Sequence, residues 1–264
     1  MIRPLVLSLL LCTTAITAMA QSSTNTPIRF RVSGGLSTLW ITNDNPAVSR
    51  IVANTEGELV APDNPDDTPI GAAFDGQQIG YGIRGYADLD KQKRFRIPFG
   101  LDYHMLRGTQ SVRSTSFTIL AQNSLNITTA HLGFEYAFME FPLAFARAYV
   151  AAELRGAFIG QSELQVRWTT ILPDSISRRE GVLPGKPSTF RLGGMARLGI
   201  EGELYYPVFL NTSIGYGVLN MVGRDSRSTA SGGRGELLTP DNKNEAAEGY
   251  IHYVNFTFMI QVRL

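Results

Sequence analysis

His104, His131 and His252 are the three histidines of the chain, and each could serve as a general base, a proton shuttle or a metal ligand. They lie on separate segments, with no second histidine or cysteine at metal-ligand spacing. A lipid-cleaving site would need a serine and a carboxylate beside one histidine. His252 is the candidate for it, since it falls on the outward phase near the start of the last extended segment. Spacing sets no serine or acid beside it. The glycines lie within extended segments and not at strand-to-helix turns, so they form no phosphate-binding loop. Glu56, Glu58, Asp63, Asp66, Asp67 and Asp75 crowd one acidic stretch, but Asp-Asn-Pro-Asp-Asp lacks the spacing and glycine of a calcium loop. The sequence offers no catalytic constellation, cofactor or metal site, and the chain reads as a non-enzyme.

The stronger chemical signal is a set of charges recurring at every second position. Arg84 and Asp88 share one face of an extended segment; Arg94, Arg96, Asp102 and His104 share another. His131 and Glu135 follow, then Arg147, Glu153 and Arg155, then Arg191, Arg197, Glu201 and Glu203. Arg29, Arg31 and Arg263 add further cations in the same phase. The positions between them are apolar, as in Phe95, Ile97, Phe99, Leu101, Tyr103 and Met105. A period of two places these sets on opposite faces of a strand. If the charged faces line an interior, opposite signs must pair there, because isolated buried charges are very costly. That arrangement is a structural plug. The alternative is a constricted, anion-leaning pore lined by the surplus arginine.

The elements that would position these charges are eight alternating segments: 28–41, 74–89, 94–106, 125–138, 147–158, 190–204, 208–219 and 250–264. Their connections run long, short, long, short, long, short, long. The long ones span 42–72, 107–124, 159–189 and 220–249. Segments of 12 to 16 residues exceed the roughly 9–11 needed to cross a bilayer at a tilt, and transmembrane barrels alternate short periplasmic turns with long external loops. The expected fold is therefore all-β, an eight-stranded antiparallel up-and-down transmembrane barrel, with its apolar face toward lipid. Trp40, Tyr81, Tyr103, Tyr136, Phe138 and Phe158, near segment ends, suit interfacial girdles.

Composition agrees with export. Met1-Ile2-Arg3, the apolar run 5–12 and Ala18-Met19-Ala20 form a signal-peptide pattern with cleavage after Ala20. Residues 21–27 then form a polar leader, and 28–264 the barrel domain. Cys12, the one cysteine, lies within the signal segment. Charged residues make up 18% of the chain and the formal net charge is +1, which gives no argument for nucleic acid. A mean hydropathy of −0.03 suits a barrel whose lipid-facing and lumen-facing residues alternate.

With these eight segments and the terminal run Phe256-Thr257-Phe258-Met259-Ile260-Gln261-Val262-Arg263-Leu264, the chain resembles the small outer-membrane β-barrels of Gram-negative bacteria, of the OmpA and OmpX type. Segments 94–103 and 126–138 look most like barrel domains of the Bacteroidetes and Chlorobi lineage. Such barrels commonly end in phenylalanine, where this chain has Leu264. The resemblance implies an outer-membrane location, contact with outer-membrane lipid and passage through the barrel-assembly machinery. It also implies four external loops open to an extracellular ligand. The expected function is structural or surface-interaction; a narrow pore and a lipid-modifying enzyme on the outer wall are the alternatives.

Overall fold

The structure is a computed structural model that describes residues 29–42, 52–53, 59–60, 72–90, 92, 94–113, 115–172, 174–183, 186–228, 231–238 and 247–264. The signal segment 1–20, the leader 21–27 and the loop carboxylates at 56, 58, 63, 66 and 67 lie outside the described residues.

The strands are β1 Arg29–Ile41, β2 Val52–Ala53, β3 Leu59–Val60, β4 Gln77–Asp88, β5 Phe95–Arg113 and β6 Phe117–Phe141. After them come β7 Ala146–Ile159, β8 Glu163–Leu172, β9 Ser175–Leu183, β10 Thr189–Tyr205, β11 Val208–Val222 and β12 Ile251–Arg263. Eight of them form a ring in the order β1, β4, β5, β6, β7, β10, β11, β12, and every neighbouring pair is antiparallel. Pairing of β12 with β1, with Ser37 opposite Thr257, closes it. Closure leaves the ring without an edge and fixes which face each residue takes, since a one-residue slip would turn every side chain over.

The three short connections sit at one end. Leu89 donates to the Phe95 carbonyl at 2.9 Å, and Asp90 accepts from the Phe95 amide at 2.9 Å. Pro142–Ala144 forms a single 3₁₀ turn closed by Phe145 in the left-handed region. Tyr206-Pro207 joins β10 to β11.

At the opposite end two expected loops are replaced by sheet. The stretch 107–124 continues β5 and β6 as a hairpin, paired from Arg107 opposite Ser124 to Arg113 opposite Thr118. The stretch 159–189 contains the hairpin β8–β9, and β8 pairs with the extension of β6 from Ser124–Glu163 to Phe117–Thr170. A four-stranded sheet thus projects beyond the ring. Ile119, Ala121, Leu164 and Val166 are buried on one of its faces with Ala72 from the first loop. The described residues 72–76 of the first long connection and 223–228, 231–238 and 247–250 of the last also lie at this end.

The exterior of the ring is apolar and the interior polar. Ile79, Tyr81 and Ile83 are exposed on β4, as are Leu132 and Phe134 on β6 and Phe256, Phe258 and Ile260 on β12. The alternate residues are buried, among them Arg31, Arg84, Arg96, Asp102 and Arg155. This inverts the usual arrangement, in which charged residues are almost never fully buried.

Candidate functional site

The inward phase of the ring assembles two ionic clusters, one above the other. Toward the short-turn end, Glu201 on β10 is the hub. It receives Arg31 at 2.5 Å, Arg96, Arg147 at 3.3 Å and the Gln261 amide at 3.1 Å. Arg31 also donates to Asp88 through Nε at 3.2 Å and Nη2 at 2.9 Å, and Arg96 also meets Glu135. Four elements thus converge on one carboxylate. Only barrel closure brings them together, since Arg31 and Glu201 are 170 positions apart.

Six arginines (31, 84, 96, 147, 155 and 197) face five carboxylates (88, 102, 135, 153 and 201) across the two clusters. Shared hubs and aromatic faces absorb the extra cation. The Arg96 guanidinium lies 4.3 Å from the Tyr86 ring centre and 5.1 Å from that of Tyr149, within cation–π reach. The Tyr149 hydroxyl donates to Asn211 at 2.6 Å, and Asn211 donates to the Tyr86 hydroxyl at 3.4 Å. A side chain at Gly199 would strike the Tyr149 ring, so that glycine makes room for the tyrosine beside the arginine.

The second cluster lies nearer the projecting sheet. Arg84 bridges Asp102 at 3.4 Å and Glu153 at 3.3 Å; Arg155 bridges the same two carboxylates. Arg197 adds a 3.0 Å contact to Glu153. His131 stands 3.8 Å from Asp102 and 3.9 Å from Glu153, so it belongs to this cluster without hydrogen bonding to either acid. His104 makes a 3.2 Å hydrogen bond with Ser37, and Asn255 donates to Ser37 at 3.0 Å. Arg155 donates to the Tyr253 hydroxyl at 3.3 Å. A side chain at Gly217 would meet the Tyr253 ring.

Above this cluster the lumen turns apolar. Leu39, Ile41, Leu106, Ile127, Ile159 and Ile251 point in from the strands, with Phe74 from the first loop and Leu237 and Leu238 from the last. The last loop is tied down by charge. Glu248 receives Arg191 through two contacts at 3.0 and 2.6 Å, lies 3.7 Å from Arg234, and accepts from the Asp225 amide at 2.9 Å. Arg227 grips Asp225 through Nε and Nη2, both at 3.1 Å, and these hydrogen bonds hold the Asp225 carboxyl down to about 2.

Of the charged positions read from the sequence, Arg84, Asp88, Arg96, Asp102, His131, Glu135, Arg147, Glu153, Arg155, Arg197 and Glu201 meet in the two clusters, and His104 lies beside them. Arg94, Arg191 and Glu203 do not. Arg94 precedes β5, is half exposed and stands 3.9 Å from Glu140 outside the ring, because the chain has already turned away from the lumen there. Glu203 is half-buried at the short-turn end and joins none of the ion pairs among the described residues. Arg191 is buried but lies at the far mouth with Glu248. Of the other three, Arg29 is exposed, Arg31 is a full member, and Arg263 stacks on Phe209 at 4.5 Å. Sequence reasoning missed the inward aromatics Tyr86, Tyr149 and Tyr253. Their signal was phase: each sits on the charged side of its strand, and Tyr149 and Tyr253 face a glycine across it.

The aromatics assigned to girdles all face outward. Tyr81, Tyr103 and Phe158 fall in one row across β4, β5, β6 and β7, and Trp40 is exposed near the same end. Tyr136 and Phe138 lie near the short turns, with Tyr136 stacked on Phe95 at 4.9 Å between centres. His252 also faces out and hydrogen-bonds the Tyr216 hydroxyl through Nδ1 at 2.7 Å.

No family model matches the chain, and no curated protein does. Among solved structures it is similar to Neisserial surface protein A, at 12% identity over 90% of this chain and 98% of that one, with a TM-score of 0.35. It is also similar to Ail, the attachment invasion locus protein of Yersinia pestis, at 6% identity over 90% of this chain and 97% of that one, with a TM-score of 0.32. Ail in complex with the heparin analogue sucrose octasulfate gives 6% identity over the same shares, with a TM-score of 0.36. None of these points to a Bacteroidetes or Chlorobi lineage. At such scores the fold assignment rests on the closed ring of strand pairings alone.

Proposed function

We propose that this chain is an outer-membrane β-barrel that works by recognition at its external end and not by conduction or catalysis. One observation carries the membrane reading: a closed ring buries its charges and exposes its leucines, isoleucines and aromatics. In water that belt would be a contiguous apolar patch far larger than soluble monomers tolerate; in a bilayer it is the lipid-facing band of a barrel. Outer-membrane lipid is then the first partner, and the barrel-assembly machinery the one that inserts the chain. Eight strands leave an interior just wide enough for side chains to fill. The two ionic clusters and the apolar cap fill this one, so what remains for function is the exposed end. There the projecting sheet and the loops stand on a rigid scaffold, the usual setting for recognition.

The two tryptophans test the membrane reading. Trp40 is on the belt and Trp168 on the projecting sheet. In vesicles of acyl-chain-brominated lipid, Trp168→Phe, which keeps Trp40, should show strongly quenched fluorescence. Trp40→Phe, which keeps Trp168, should stay bright. Equal quenching, or stronger quenching of Trp168, would overturn the reading.

A further inference from the structure

The belt is not uniform. On its outward face lies an apolar depression of about 410 Å³ lined by Val150, Ala196, Leu198, Ile214, Tyr216 and Val254. It arises where Ala196 stands opposite Tyr216, a small side chain among larger ones. The outward row of β12 leads from it to the external end: Val254, then His252, then Tyr250. Tyr250 is four residues above Val254, roughly 13 Å at the rise of a strand.

That upper end carries a guanidinium. The Arg224 guanidinium lies 4.4 Å from the centre of the Tyr250 ring. Arg224 joins no ion pair among the described residues, and the neighbouring carboxylates are committed elsewhere: Asp225 to Arg227, and Glu248 to Arg191 and Arg234. The Tyr216–His252 hydrogen bond lies between the arginine and the groove, so polar groups stand above and apolar groups below. An amphiphile with an anionic head and a hydrocarbon tail matches that order.

We infer that this wall holds one phospholipid of net negative charge, its acyl chain in the groove and its anionic head group at Arg224. The inference rests on the membrane reading. Within the belt the groove opens to lipid, and an acyl chain seated in it gains dispersion contacts with its walls. An arginine that joins no ion pair among the described residues selects an anionic head group at the rim, and its planar fork suits phosphate oxygens.

The test is native mass spectrometry of the full mature chain released from nanodiscs of phosphatidylglycerol and phosphatidylcholine in equal parts. One retained lipid per chain is expected, with phosphatidylglycerol favoured roughly fivefold, the factor for one cation at a membrane surface. Arg224→Gln should keep the lipid and lose the preference; Ala196→Phe should fill the groove and lose the lipid whatever its head group. Equal retention of the two lipids by the unaltered chain would overturn the proposal, as would undiminished retention by Ala196→Phe. Failure of the unaltered chain to enter nanodiscs would instead overturn the membrane reading, and this proposal with it.

Discussion

Glu201→Gln should destabilise the barrel by about 3–5 kcal/mol, the cost of removing one partner from a buried ion pair. The substitution keeps the shape of the side chain and removes its charge. Arg31 and Arg96 are both buried against that carboxylate and Arg147 is largely so; Arg31 retains Asp88 and Arg96 retains Glu135, but all three lose the charge of the carboxylate they share. Asp88→Asn should cost less, because Arg31 keeps its 2.5 Å contact to Glu201. Arg94→Ala is the control. Its pair with Glu140 is half exposed at 3.9 Å, and such pairs contribute about 0–1 kcal/mol. Denaturant unfolding in lipid vesicles reads all three. A loss below about 1 kcal/mol for Glu201→Gln, comparable to that of the exposed control, would mean that the hub does not hold the interior together.

The second large effect separates lipid from water on the outer wall. Leu132 is 57% exposed and sits midway along the outward face of β6, between Tyr136 and Thr128; Ile176 is 63% exposed on β9 of the projecting sheet. By exposure alone the two are equivalent. An arginine at the bilayer midplane of a barrel costs about 2–4 kcal/mol, whereas a surface substitution in water usually stays within about 0.5 kcal/mol. Leu132→Arg should therefore lose several times more unfolding free energy in vesicles than Ile176→Arg. Equal losses would place both residues in the same medium and contradict the belt.

The eight ring strands were legible because the two faces of each strand meet opposite surroundings. Leu101 and Tyr103 face out while Asp102 and His104 face in, and such contrast survives in the sequence as a period of two. The extensions of β5 and β6 were harder to see. Beyond the ring these strands have no charged lumen behind them, and Gln110, Ser111, Gln122 and Asn123 show no such contrast. In β8 the signal was present, with Leu164, Val166 and Trp168 alternating against Gln165, Arg167 and Thr169. The polar, proline-bearing residues around it mask that pattern. The interior was legible as a set of charges but not as pairs. Phase puts Arg31 and Glu201 on the same side of the wall, yet their meeting depends on barrel closure and stagger, which no local pattern carries. Arg191 shows the same limit: its phase was right, but its partner Glu248 comes from a loop.

The central claim is a closed interior, and single-channel recording in a planar bilayer tests it most directly. Insertion is established beforehand by quenching of Trp40 in brominated vesicles of the same preparation. Inserted protein with no resolvable current is the expected result, because paired arginines and carboxylates fill the lumen and Leu237 and Leu238 cap it. Discrete, reproducible current steps from inserted protein would contradict the account and make the lumen arginines the lining of a pore.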